Sequence, residues 1–218
     1  MTRTFADRLL EALNRFNAAH PWDHNAHYHP WLLRQLPRRF GRALDVGCGS
    51  GDLVRLLATR ADAVQGMDSD AGIVGRARES TGSRAPVTYA VAEAPHALPA
   101  GPYDVITCVA VLHHLRFADT LARFRAELAP GGTLVVVGCA RAASLGDHAL
   151  GLLAVPLNAA VGWARNRGGP GTRPVSMTAR VRDPEMSFAE ISREARRILP
   201  GARLRRRLFW RYTLVWRG

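Results

Sequence analysis

Three glycines alternate with other residues at positions 47 to 51, directly after an apolar run. Because Gly47, Gly49 and Gly51 have no Cβ, the chain can turn tightly there and a ligand can approach the main chain. The stretch Asp52–Ala58 predicts a helix, whose first N–H groups and positive dipole end face the same loop. The segment predicts a strand, a ligand-binding loop and a helix. In some proteins, glycines at such a turn are needed only for the backbone conformation and bind no ligand. This alternative stays open.

The spacing of these glycines differs from the dinucleotide fingerprint Gly-x-Gly-x-x-Gly. Asp52 stands three positions after Gly49, where that fingerprint has glycine, so we expect no NAD(H) binding. The pattern present is Asp-x-Gly-x-Gly-x-Gly, which begins with Asp45 at the end of the strand. This pattern resembles the first motif of the class I S-adenosylmethionine-dependent methyltransferases.

An acidic residue closes the next predicted strand. Residues 62 to 68 indicate a second strand that ends at Asp68, and Ser69 or Asp70 can cap the helix Ala71–Glu79 that follows. An acid at this place can accept both hydroxyls of a ribose, as in nucleotide-binding doubly wound folds. The alternative interpretation of Asp68 is a helix cap.

Later segments follow in the order of the same family. Strands are predicted at residues 85 to 91, 103 to 110 and 133 to 138, with a helix at Phe117–Leu128. The runs YDVITCVAVLHHL and LAPGGTLVVVG both resemble later motifs of these methyltransferases. The resemblance covers residues 42 to 138. It implies an α/β Rossmann-like methyltransferase fold, a doubly wound seven-stranded mostly parallel sheet with an antiparallel C-terminal hairpin.

The resemblance also implies a cofactor, S-adenosylmethionine, with S-adenosylhomocysteine as the product. Glu93 and Ala94 would lie beside the adenine. Tyr28 or Arg34, from the segment ahead of the first motif, would fold over the methionine end, although Arg34 could equally be a solvated helix residue. The expected cofactor-binding residues are Asp45, Gly47, Cys48, Gly49, Gly51, Asp68, Ser69, Glu93, Ala94, Val109, Tyr28 and Arg34.

Two histidines follow the fourth strand, where this family presents the methyl group. The sulfonium already activates the methyl for in-line attack, so the protein mainly positions the reactants and excludes water. His113 and His114 could remove a proton from the acceptor, with a pKa near 6–7, and His114 is expected to tolerate substitution less well. The alternative is that one of them only packs or bonds to the backbone.

The N-terminal region combines a helix with a polar, aromatic segment. Phe5, Leu9, Leu10, Leu13 and Phe16 fall on one face of a predicted helix over residues 5 to 16. The histidines that follow, His24, His27 and His29, lack the i, i+4 spacing of a helical metal pair and have no nearby cysteine, so no metal site is expected.

Residues 139 to 182 form an insert after the fifth strand. Its uncharged stretch, residues 149 to 164, is shorter than the ~18 apolar residues of a membrane span and contains Pro156 and Asn158. We expect one or two short helices here and no span. They would form a lid that faces residues 22 to 31 across the acceptor pocket, with core cover as the alternative, and residues 166 to 182 are typical of a loop.

The sequence of the C-terminal region predicts one helix followed by a β-hairpin. Ser187 and Glu190 form a capping box for a helix that ends at Ile198. Residues 202 to 210 and 211 to 216 are predicted strands. Their arginines favour a solvated, charge-protected sheet edge over a nucleic-acid site.

Composition agrees with one domain. A chain of 218 residues that is 47% hydrophobic can bury one substantial core. Its three cysteines, an odd number, and the lack of a signal sequence indicate a reducing, cytoplasmic setting. All 30 basic residues are arginine, as expected of a GC-rich coding genome. The expected division is an N-terminal helical cap (1–41), a cofactor core (42–138), a substrate-lid insert (139–182), and a C-terminal helix and hairpin (183–218).

The acceptor is constrained mainly by missing motifs. Residues 110 to 113 lack the Asn-Pro-Pro-Tyr motif of methyltransferases that modify amino groups of DNA or glutamine. The sequence also lacks the Pro-Cys pair of enzymes that methylate cytosine through a covalent intermediate. An O, N or C atom of a small molecule, such as a secondary metabolite, is therefore the leading acceptor, and the chain is expected to be a monomer or homodimer. The formal charge of +12 leaves an RNA or protein methyltransferase open. A protein that binds S-adenosylmethionine without methylating also stays open.

Overall fold

The computed structural model describes residues 4–83, 86–172, 174–175 and 182–218. Seven strands form one sheet in the order β3-β2-β1-β4-β5-β7-β6. The strands are β1 (Phe40–Val46), β2 (Ala61–Asp68), β3 (Val87–Val91), β4 (Tyr103–Val109), β5 (Leu128–Cys139), β6 (Arg203–Arg207) and β7 (Arg211–Arg217). The first five are parallel, whereas β7 pairs antiparallel with both β5 and β6. The predicted doubly wound sheet with a C-terminal hairpin is confirmed.

Helices cover both faces of this sheet. They are α1 (Phe5–Ala19), α2 (His29–Leu33), α3 (Asp52–Ala58), α4 (Ala71–Thr81), α5 (Phe117–Glu127), α6 (Leu145–Arg165) and α7 (Phe188–Ile198). The carboxylate of Asp70 accepts the N–H groups of Gly72 and Ile73 and so begins α4. The expected capping box of Ser187 and Glu190 begins α7.

The alternation of side chains along the central strands divides the core in two. On one face, Leu44, Ile106 and Leu134 pack against Phe124 of α5 and against α7. On the other, Val105 and Val135 pack with α3 and with residues of the N-terminal region. This period of two is the pattern of strands buried on both faces.

The strand order reverses between β1 and β4, and this reversal positions the site. Connections leave β1 and β4 towards opposite faces of the sheet, so a crevice opens at their carboxyl ends. The glycine loop follows β1, and a short 3-10 turn at Leu112–His114 follows β4. Both histidines therefore lie at the ligand-binding end of the sheet.

Three sequence-based expectations are corrected by the structure. The stretch in the insert forms one 21-residue helix, α6, instead of one or two short ones. Strand β6 ends at Arg207 and not at Trp210, because Phe209 and Trp210 adopt positive φ angles of 56° and 58° in the turn. Strand β5 begins at Leu128, earlier than predicted.

Part of the predicted hydrophobic face of α1 lies outside the described side chains. The side chains of Phe5, Leu9 and Leu10 are not described. Residue 85 of the predicted third strand and residues 173 and 176–181 of the predicted loop also lie outside the described residues. Phe16, on the same helix, is 36% exposed.

Candidate active site

A cavity of about 860 Å³ opens at the carboxyl ends of β1, β2 and β4. Its volume is within the range of small-molecule and cofactor sites. Of the residues singled out in the sequence, it is lined by Gly47, Gly49, Asp68, Ser69, Glu93, Ala94 and His114. Residues from four separate loops therefore meet at the crevice where a doubly wound sheet binds its ligand.

The glycine loop leaves the main chain open to this cavity. Gly49 has φ +51°, and a Cβ built there would have no neighbouring atom within 4 Å, so a ligand can occupy that space. Gly47 is different, because a Cβ there would lie 2.0 Å from Cγ2 of Val111. Glycine at position 47 thus allows the loop after β4 to approach the loop after β1.

The carboxylate of Asp68 fixes the geometry between β1 and β2. Its Oδ2 accepts the backbone N–H of Gly49 at 3.0 Å, and its Oδ1 accepts that of Asp70 at 3.1 Å. An ionised carboxylate has about four lone-pair sites, so each oxygen retains capacity for another donor. The side chain is held at the cavity wall in a form that can accept two ligand hydroxyls.

A second cavity, of about 330 Å³, adjoins the first. It is lined by residues after β4 and by C-terminal residues, among them His113, Phe117, Cys139, Arg182, Met186, Ile191 and Tyr212. His114 and Leu115 line both cavities. These two residues form a wall shared by both cavities.

The two histidines differ in burial and in charge. The Nδ1 atom of His113 is buried and has no hydrogen-bond partner in the part of the chain that the structure describes. Burial, together with the positive potential of His114, Arg211 and Arg182, lowers the pKa of His113 to about 4. Burial also lowers the pKa of His114. The expected pKa near 6–7 is therefore wrong for His113, whose imidazole is neutral at physiological pH.

Three residues of the first motif lie behind the cavity wall. Asp45 is buried and accepts the Thr107 hydroxyl at 2.6 Å, and burial raises its pKa to about 7. The thiol of Cys48 packs in the core on the α3 side, and Gly51 begins α3. Among the described residues, these three support the loop and do not line the cavity, and their role in binding the cofactor stays a prediction.

Three other predicted residues also lie away from the cavity lining. The hydroxyl of Tyr28 donates to the Leu208 carbonyl at 2.6 Å, and Arg34 is exposed at the end of α2. Val109 packs on the α3 side of the sheet, and the next two residues, Ala110 and Val111, line the cavity instead. Ala110 has φ +57°, which turns the chain towards the ligand side.

The helix of the insert contacts the N-terminal segment directly. The indole N–H of Trp22 donates to Oδ1 of Asn158 at 3.0 Å, and His24 shares that oxygen at 2.7 Å. The described part of α6 lines neither of these two cavities, and the expectation that the two segments face each other across an acceptor pocket stays a prediction. Cys139 and Arg182, at the two ends of the insert, line the smaller cavity.

Sequence reasoning missed the far wall of the smaller cavity. Arg182, Met186 and Tyr212 come from segments that are distant along the chain from His113, and no local motif marks them. The antiparallel pairing of β7 with β5 brings Tyr212 beside Gly138, where a Cβ on the glycine would lie 2.5 Å from the Tyr212 ring.

Comparisons with known proteins agree with this geometry. A family model described as a methyltransferase domain matches residues 43–132. An uncharacterized methyltransferase of Mycobacterium tuberculosis is 33% identical over 202 residues, which are 91% of this chain and 98% of the relative. The chain belongs to the class I S-adenosylmethionine-dependent methyltransferases. Their fold is also that of the N-methyltransferase NodS from Bradyrhizobium japonicum with S-adenosylhomocysteine (TM-score 0.59, 18% identity, 95% of this chain and 97% of that one).

Shorter matches come from methyltransferases with named roles. The trans-aconitate 2-methyltransferase of Streptomyces avermitilis is 36% identical over 121 residues, which are 51% of this chain and 45% of that enzyme. A ubiquinone biosynthesis O-methyltransferase of Burkholderia multivorans is 35% identical over 125 residues, 51% of this chain and 54% of that enzyme. The larger cavity fits the cofactor of this family, because Gly49 leaves its backbone open and Asp68 presents a fixed carboxylate.

Proposed function

We propose that this methyltransferase transfers a methyl group to an O, N or C atom of a small molecule bound in the 330 Å³ cavity. The observation that carries the proposal is the shared wall of His114 and Leu115 between the two cavities. A donor in one cavity and an acceptor in the other would meet at this wall. The names of the two shorter matches, one of which includes trans-aconitate, support a small-molecule acceptor.

The chain's residues would act mainly by position. Bound S-adenosylmethionine would supply a methyl group already activated on a sulfonium. Asp68 and the open backbone at Gly49 would hold the ribose side of the larger cavity, and the shared wall would align the acceptor. His113 lines the smaller cavity and is neutral, so its imidazole could accept a hydrogen bond or a proton from an acceptor hydroxyl.

The lining of the smaller cavity favours an acceptor with both apolar and polar parts. Phe117, Met186 and Ile191 offer apolar contacts. Arg182, paired with Glu185, and Arg116, paired with Asp119, add polar groups. An acceptor with an aromatic or aliphatic body and a carboxylate or hydroxyl would match this lining. A small metabolite with an apolar body and a hydroxyl or carboxylate is therefore the acceptor class to test first.

A thermal-shift screen tests the proposal. Metabolites with such groups are screened with S-adenosylhomocysteine present, because an acceptor that binds the folded protein raises its melting temperature. Compounds that raise it are then incubated with S-adenosylmethionine, and S-adenosylhomocysteine formation is measured. Binding without any product would contradict methyl transfer and would favour a binding protein.

A filling substitution tests the location of the acceptor. Met186→Trp should block the smaller cavity and abolish turnover, while S-adenosylhomocysteine affinity stays within a few fold of the unmodified protein. Leu56→Trp, on the exposed surface of α3, is the matched control and should leave both quantities unchanged. Full turnover of Met186→Trp would place the acceptor elsewhere.

A further inference from the structure

Helix α6 carries a long apolar face that the protein does not cover. Leu145 is 90% exposed, Leu152 is 75% exposed, and Leu153, Leu157 and Trp163 are 41–58% exposed. Between Asp147 and Arg165 the helix contains no charged residue. Contiguous apolar surface of this kind marks an interaction site in a folded protein.

The opposite face of α6 is held firmly against the rest of the chain. Ala154 packs with Trp22 and Phe209, and Asn158 is hydrogen-bonded to Trp22. Near the end of the helix, the Asn166 amide donates to the Pro21 carbonyl at 3.0 Å. By length and composition α6 could cross a membrane, yet this packing holds it flat along the protein surface.

Positive charge lies at the C-terminal end of the exposed face. Arg165 and Arg167 are exposed at its C-terminal end. The exposed indole of Trp163 lies near these arginines on the same part of the helix. At its N-terminal end, Nε of Arg206 lies 2.5 Å from the Asp147 carboxylate, so these two charges neutralise each other.

We propose that the exposed face of α6 binds the surface of an anionic lipid bilayer. An apolar helix face flanked by tryptophan and arginine matches the boundary between acyl chains and headgroups. Anionic headgroups would also neutralise the arginines and suit the formal charge of +12. A second copy of the chain would carry the same net charge of +12, which opposes association. The proposal does not depend on methyl transfer.

Vesicle flotation with the full chain tests this surface. The protein should float with vesicles of equal parts phosphatidylcholine and phosphatidylglycerol, and much less with phosphatidylcholine alone. Leu152→Asp/Leu153→Asp should weaken binding at least about tenfold, because charges would replace apolar groups at the lipid boundary. Leu56→Asp/Val91→Asp changes two exposed apolar residues elsewhere and should bind as the unmodified protein does. Melting curves check that every variant is folded.

Charge and fluorescence provide independent readouts. Arg165→Glu/Arg167→Glu should reduce binding to anionic vesicles, whereas Arg38→Glu/Arg39→Glu, at the amino end of the sheet, should not. Lipids with brominated acyl chains should quench tryptophan emission, and Trp163→Phe should remove part of that quenching.

Three results would overturn the proposal. One is no flotation of the unmodified protein with anionic vesicles, and another is equal flotation of Leu152→Asp/Leu153→Asp. The third is a dimer in solution that this variant converts to a monomer while neither form binds vesicles, which would assign the face to a second copy.

Discussion

The Asp68 carboxylate accepts the backbone N–H of Gly49 at 3.0 Å and so connects the end of β2 to the glycine loop after β1. One side chain thereby fixes the loop and also faces the larger cavity. The same contact explains why an acid is useful at the end of β2 even before a ligand binds. Binding and local structure are therefore coupled at this residue.

Replacing Asp68 should weaken cofactor binding. Asp68→Ala removes a charged acceptor and frees the N–H of Gly49, so the affinity for S-adenosylhomocysteine should fall by about 1.5–3 kcal/mol, roughly ten- to 150-fold. Isothermal titration calorimetry measures this change. Asp62→Ala, at an exposed position of the same strand, is the control. Unchanged affinity of Asp68→Ala would remove Asp68 from the binding site.

Gly49→Ala should separate backbone strain from loss of ligand space. Its positive φ makes alanine unfavourable by about 1–2 kcal/mol, and the new methyl group would project into the cavity. Gly201→Ala, at φ +82° with open space around it, carries a comparable strain far from the cavity. Both variants should lose stability, but only Gly49→Ala should lose affinity for S-adenosylhomocysteine. Equal affinities would mean that the loop does not contact the cofactor.

The core of this fold follows from local patterns in residues 42 to 138. Apolar strands, the glycine turn and the capping residue Asp70 are all local signals that act within a few positions of one another, so the sequence predicts them. The turn after β6 has no such signal. Its positive φ angles fall on Phe209 and Trp210, and buried contacts of Phe209 with Trp22 and Ala154 compensate for them.

The candidate site is predictable only in part for the same reason. The larger cavity is built from loops that follow successive strands, and most of its residues carry family motifs. The smaller cavity depends on the packing of β7 and of residues 182 to 191 against the turn after β4. These are contacts between segments that are distant along the chain, and no residue spacing in the sequence predicts them.

Tyr28 tests whether the N-terminal segment is structural. Tyr28→Phe removes the hydrogen bond to the Leu208 carbonyl and leaves that oxygen unpaired, so the free energy of unfolding should fall by about 1–2 kcal/mol. Denaturant titration measures this loss. Affinity for S-adenosylhomocysteine should remain within about threefold. A much larger loss of affinity without loss of stability would instead support the expected contact between Tyr28 and the cofactor.

The lowered pKa of His113 predicts how turnover depends on pH. A general base acts as neutral imidazole, whose fraction rises with pH through its pKa. Because the pKa of His113 is lowered to about 4, this fraction exceeds roughly nine tenths already at pH 5. Turnover that depends on His113 should therefore stay level between about pH 6 and 8. A rise with a midpoint near 6.5 that disappears in His113→Ala would contradict this.

Single substitutions then separate the roles of the two histidines. If His113 takes a proton, His113→Ala should lower turnover by about 10²–10⁴-fold. His114→Ala, in the shared wall, should raise KM or disturb cofactor binding as well, because His114 lines both cavities. His96→Ala is the exposed control. Near-full activity in both variants would mean that catalysis uses proximity alone.

A crystal structure with S-adenosylhomocysteine tests the arrangement of the two cavities most directly. The ribose hydroxyls should donate hydrogen bonds to the Asp68 carboxylate. The sulfur should face the smaller cavity and lie within about 6 Å of the His114 imidazole. A sulfur that faces away from the wall of His114 and Leu115, or a ribose away from Asp68, would contradict the assignment of the smaller cavity to the acceptor.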